Sequence, residues 1–153
     1  MNIKPTWKKG RGKLGFLSPL LGTWHAHADS QQGEVYCVRN FQRVLNGSYI
    51  KLSAIWHMGD KVYEEQCFFG CDATGKIQFW SFTSDGKQSH GELTDASDIH
   101  PEAIGFVAQM PAGVARQIYW PDETQGFHWA VESQTKKGGN RFLTTTLFPV
   151  HKK

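Results

Sequence analysis

Cysteine and methionine are scarce in these 153 residues, with three of each, and there are only six prolines. Cys37, Cys67 and Cys71 are an odd number and form no C-x-x-C pair. On one strand Cys67 and Cys71 would share a face about 13 Å apart, beyond the reach of a disulfide. A thiolate metal site needs closer spacing or further ligands, so no metal is expected. Three free thiols fit a reducing compartment. No apolar run approaches the roughly 20 residues that cross a bilayer as a helix, so no membrane span is expected. The apolar stretch 15–22 is short, broken by Pro19 and without a small-x-small cleavage site. This predicts no signal peptide and a cytoplasmic protein. The signatures G-x-S-x-G, P-loop and G-x-G-x-x-G after a strand are all missing, and Gly10-Arg11-Gly12 precedes any strand.

Basic charge is scarce in the body of the chain. The formal charge is +3, but Lys4, Lys8, Lys9, Arg11 and Lys13 crowd the first 13 residues, and Lys152 and Lys153 end the sequence. Between them stand 10 basic and 14 acidic residues. A nucleic-acid binder carries its excess as a folded patch, so the two basic ends read as solubilising and no nucleic-acid partner is expected. The sequence divides into a mobile basic arm over 1–13 and one domain over 14–151.

Aromatics, by contrast, make up 13% of the chain, with six Trp and ten Phe. Strand-length segments run from 23–28, 35–44, 49–57, 61–71, 76–84, 87–94, 103–109, 114–120, 126–135 and 141–150. They are rich in residues that suit a pleated sheet. Turn signals separate them: Asn46-Gly47, Gly59-Asp60, Thr74-Gly75, Asp85-Gly86, Ala112-Gly113, Asp122-Glu123 and Gly138-Gly139-Asn140. Ile50, Leu52, Ala54 and Trp56 alternate with polar neighbours, as do Phe127, Trp129 and Val131, the period of a half-buried strand. A short helical turn over 16–21 precedes the first strand, and one further turn fits between Ala96 and Ala103. The fold class is all-β: a closed up-and-down antiparallel barrel of about ten strands with a short N-terminal helical plug. Closure hides the sheet edges, and ten strands leave room inside for a ligand.

The motifs Gly22-Thr23-Trp24, Gly47-Ser48-Tyr49, the hairpin from Phe69-Gly70-Cys71-Asp72 to Gly75-Lys76, and Phe79-Trp80-Ser81-Phe82 follow in that order. This order resembles the calycin superfamily of lipocalins and fatty-acid-binding proteins, and is similar to small bacterial calycin-like domains. The resemblance spans about residues 14–150. No helix follows the last strand, as one does in lipocalins. Arg141 stands at the wrong end of that strand to pack over the Trp of G-x-W, which leaves Lys152 or Lys153. The fatty-acid-binding type is therefore expected. The resemblance implies small-molecule binding, with Gly22 and Trp24 structural.

The expected ligand is apolar or amphipathic, in a pocket lined by Trp56, Tyr63, Phe69 or Phe68, Trp80, Trp120 and Trp129. Arg116 shares a strand face with Val114, Ile118 and Trp120, which marks it as an anchor for a ligand carboxylate, or as an internal ion pair with Glu65. Glu65 itself alternates with Tyr63, Cys67 and Phe69. The rival readings are an acid–base enzyme using His90 and Glu92, and a haem barrel with His90 or His151 on the iron. Otherwise no cofactor is expected. His25 and His27 share a strand face and Asp95, Asp98, His100 and Glu102 crowd one loop, where turn and cap roles suffice. The expected oligomeric state is monomer or dimer.

Overall fold

A computed structural model describes residues 7–30, 33–110, 113–135 and 140–150. A six-residue 3-10 helix, Gly15–Leu20, leads into ten strands. These are β1 (Gly22–Ser30), β2 (Gly33–Val44), β3 (Tyr49–Met58), β4 (Lys61–Cys71), β5 (Ile77–Thr83), β6 (Gln88–Thr94), β7 (Ile104–Met110), β8 (Gly113–Pro121), β9 (Phe127–Thr135) and β10 (Asn140–Pro149). Each pairs antiparallel with its chain neighbours, and β1 meets β10 to close the barrel. The closing seam has two paired positions, Trp24 with Pro149 and His25 with Phe148, against nine between β1 and β2. Closure by a meander leaves one end ringed by the starts of the odd strands and the other by their ends.

Turn chemistry sets the strand boundaries. In the β2–β3 hairpin Leu45, Asn46 and Gly47 take φ of 52°, 59° and 79°, and glycine carries the last of these at no steric cost. The β4–β5 hairpin is held by Asp72, whose Oδ1 accepts from the Thr74 and Lys76 amides at 2.8 and 3.1 Å. Asp85 and Asp122 do the same work for Lys87 and Thr124.

The end where β1 starts is filled. Leu17 and Leu20 of the 3-10 helix are fully buried in the core cluster, and the Leu20 carbonyl accepts from Trp24 Nε1 at 2.7 Å. Trp24 stands edge-on to Phe127 at 4.7 Å. Below it Phe41, Phe69, Phe79, Phe106, Tyr119 and Phe127 interlock at ring separations of 5.1 to 6.5 Å. Within the arm over 1–13, the Trp7 amide donates to Glu102 at 3.0 Å and the Gly10 amide to the Gly15 carbonyl at 2.7 Å, while residues 8–13 are exposed.

Candidate functional site

The filling stops halfway along the barrel. At the opposite end lies a cavity of about 340 Å³. Its floor is Phe79 and Phe106; its walls are Tyr63, Glu65, Ser81, Ala108, Ala115, Gln117, Trp129 and Val131. Thr83, Lys87, Gln88 and Ser89 of the β5–β6 hairpin border the mouth. The space exists because the inward residues of β5 to β8 are small there: Ala108 faces Ala115 across β7 and β8, and Ser81 faces Ser89. Gly91 sets the floor. A Cβ on it would stand 2.3 Å from the Val107 carbonyl oxygen and 2.5 Å from the Phe79 ring, so only glycine lets that ring lie flat on the strand.

Three polar side chains, Glu65, Ser81 and Gln117, face the interior. Glu65 Oε2 accepts from the Ser81 hydroxyl at 2.5 Å, and Gln117 Oε1 lies 3.4 Å from Trp129 Nε1. Deeper in stands Arg39, fully buried. Its side chain leaves β2 and crosses the lumen, where Nη2 donates to the Tyr119 hydroxyl on β8 at 3.1 Å. The guanidinium carbon sits 4.3 Å over the Trp129 ring on β9 and 6.0 Å from the rings of Phe41 and Tyr119. Nε and Nη1 have no hydrogen-bond partner among the described residues. Glu65 lies in the same cross-strand row, with only Ala54 between them. Burial opposes the charge on Arg39, but the pull of Tyr119, Glu65 and Cys37 outweighs it and the group stays protonated. Burial likewise pushes the Cys37 thiol up to about 11 against the pull of Arg39, and holds Cys67 and Tyr119 above their ordinary ranges.

Among the residues expected to line a pocket, Tyr63 and Trp129 do so. Trp56 faces inward beside them, its ring 5.9 Å from that of Trp129. Phe69 is wholly buried beneath the floor, against Phe106 and Phe79. Trp80 and Trp120 face outward instead. Trp80 alternates with the lining residues Phe79 and Ser81 and stacks on His90 at 5.5 Å; Trp120 lies against His128 at 5.2 Å. Arg116 is also on the outer wall, between the lining residues Ala115 and Gln117. It donates to both carboxylate oxygens of Asp98 at 2.9 and 2.8 Å, and Glu132 lies 3.2 Å away. These bonds, Asp98 first, raise its affinity for its proton and hold the Asp98 carboxyl below the usual carboxylate range. Of the apolar neighbours that make this face look internal, Val114 is exposed and Trp120 half-buried, and Ile118 is buried for another reason. The 95–103 loop covers the outside of β8, where Ile118, Ala130 and Ala96 are buried apart from the core cluster.

His90 and Glu92 stand on the outer wall, His90 bonded to Gln78, and do not reach the cavity. His151 lies outside the described residues. His27 pairs with Glu34 at 2.8 Å on the outside of β1 and β2, and with His25 and His57 surrounds Tyr36. The loop acids are structural partners: Asp95 caps Ser97, Asp98 holds Arg116, and the Glu102 amide donates to His100 Nδ1. Among the described residues no three His, Cys, Asp or Glu side chains group as a metal site. No described helix is long and apolar enough to cross a membrane.

Arg39, Ser81, Gln117 and the two alanines were not singled out from the sequence. The signal for Arg39 was its step with Cys37 and Phe41, but Tyr36 and Val38 make the other face of β2 equally apolar. A second hollow of about 490 Å³ lies outside the barrel, with Trp7, Phe16, Leu93 and Ile104 in its wall. Part of that wall adjoins residues that the structure does not describe, and so does the mouth of the barrel cavity, whose described walls come from β4 to β9. Compared with known proteins, the chain matches no family model and has no significant match among curated proteins.

Proposed function

We propose that this barrel binds a small apolar or amphipathic molecule in its interior, in the manner of a calycin-type carrier. The observation that carries the reading is a barrel filled at one end and open at the other. Aromatic rings floor the open half, and Glu65, Ser81 and Gln117 supply a few polar contacts. Mostly apolar hollows of this size with few polar groups suit compact ligands. Burial of ligand surface drives binding, at about 25 cal/mol per Å², while the polar groups set orientation. The buried free thiols Cys37 and Cys67 favour a reducing compartment such as the cytoplasm.

The test is calorimetric titration with naphthol, a compact neutral aromatic, against the wild-type protein and Ala115→Trp. The substitution places an indole in the cavity, opposite Ala108. Naphthol binds the wild type and binds the variant at least about tenfold more weakly, as loss of a hydrophobic site requires. Equal affinity in a variant of unchanged far-ultraviolet circular dichroism would rule the cavity out as the site.

A further inference from the structure

We propose that the filled end of the barrel carries a phosphate site, in which Arg11, Lys13 and Arg43 border one hollow of about 410 Å³ and take the phosphate of a small phosphorylated molecule. The site stands at the opposite end from the cavity and does not rest on the carrier reading.

In the sequence these cations stand apart, two in the basic arm and one near the end of β2. The fold brings them together. The Gly10 amide donates to the Gly15 carbonyl at 2.7 Å and the Gly15 amide to the Gly12 carbonyl at 3.1 Å, which closes 10–15 into a tight loop. A Cβ on Gly15 would run into the Gly10 carbonyl, so only glycine permits that closure. The loop lays Arg11 and Lys13 beside the β2–β3 turn and the end of β4, where Arg43, Ser48, Tyr49 and Cys71 continue the lining. Arg43 is steadied there by Nη2, which donates to the Ser18 hydroxyl at 3.3 Å. Lys13 Nζ reaches the β4–β5 turn, where a Cβ on Gly75 would meet it at 3.4 Å.

Like charges gathered around one hollow repel each other. No described carboxylate lines it, and among the described residues none of the three cations is in an ion pair. The neighbouring acid, Asp72, is turned to its own hairpin, where it accepts from Thr74, Lys76 and Gln78. An anion seated among the cations removes the repulsion and gains charge-assisted contacts. Guanidinium forks match the oxygens of a phosphate, the lysine adds a point charge, and Ser48 brings a hydroxyl to the same lining. Three cations around one hollow fall short of the stripe that a nucleic-acid backbone requires, and suit a single phosphate group.

Cys71 serves as the reporter. Cys37 and Cys67 are buried and Cys71 is half-buried in the lining, so alkylation of the native protein by iodoacetamide, a neutral reagent, reads the hollow. Pyrophosphate slows that alkylation saturably when ionic strength is held constant with sodium chloride. Arg11→Gln and Arg43→Gln each weaken the protection at least about tenfold, the worth of one charge-assisted contact, with unchanged far-ultraviolet circular dichroism. Lys61→Gln removes an equal charge at the start of β4, the other end of the barrel, and leaves protection as in the wild type. Sedimentation with phosphatidic acid vesicles, reversed by pyrophosphate, makes the phosphate a lipid headgroup; protection by pyrophosphate without sedimentation makes it a soluble phosphate ester. No protection beyond that given by chloride would overturn the site. So would protection that survives both arginine variants, or that falls equally in Lys61→Gln.

Discussion

Two arginines divide the labour between the walls of this barrel. Arg116 is a surface clamp: it ties the 95–103 loop to β8 and β9 through Asp98 and Glu132. Because it does not touch the cavity, Arg116→Ala lowers the melting temperature by a few degrees and leaves ligand affinity unchanged, for acidic and neutral compounds alike. A selective loss of acidic ligands would restore it as an anchor. The interior cysteines give a pH prediction. Burial raises the Cys37 thiol from 9.0 to about 11, so its protonated form is favoured in the folded state. A group shifted upward contributes its stability below its unfolded value and loses it as pH rises through the folded one. Stability is therefore complete below pH 9 and falls between pH 9 and about 11, by roughly 2–3 kcal/mol for this thiol. Urea denaturation across that range measures the fall, which Cys37→Ala reduces; a flat profile in the wild type would contradict it.

The strands show where pattern decides and where it does not. In β9 the alternation of Phe127, Trp129 and Val131 against His128 and Glu132 gave the inward face directly, because only one face of that strand is consistently apolar. In β8 the same rule pointed the wrong way. The outer face carries a buried Ile118 because a loop, not solvent, lies over it, and no local pattern reports a covering loop. In β2 both faces are apolar enough that Arg39 was not distinguishable from a surface residue. The turns were legible throughout, since Gly47 and the hairpin aspartates act locally. The seam between β1 and β10 was legible only as a necessity of closure. With two paired positions and Pro149 lacking an amide proton, it is the weakest ladder among the described strands. Hydrogen exchange is therefore fastest at the seam amides, His25 among them, and slowest in β2 to β4. Uniform protection around the barrel would show that closure is not the weak link.

At the scale of the molecule, a meander of ten strands encloses more volume than its side chains fill. The large rings are spent at one end: Phe41, Phe69, Phe106, Phe127 and Tyr119 pack beneath the 3-10 helix. The small ones, Ala108, Ala115, Ser81 and Gly91, collect near the other. The barrel and its strand count follow from turn spacing and composition, whereas this uneven filling depends on register, which sets which residues share a level. If the open half of the barrel is a binding site, an amide-correlation NMR titration of the labelled protein with naphthol gives shifts that saturate and cluster on Ala108, Ala115, Gln117, Val131 and the Trp129 indole N–H. Shifts confined to the outer hollow around Trp7 and Phe16, or none at all, would contradict it.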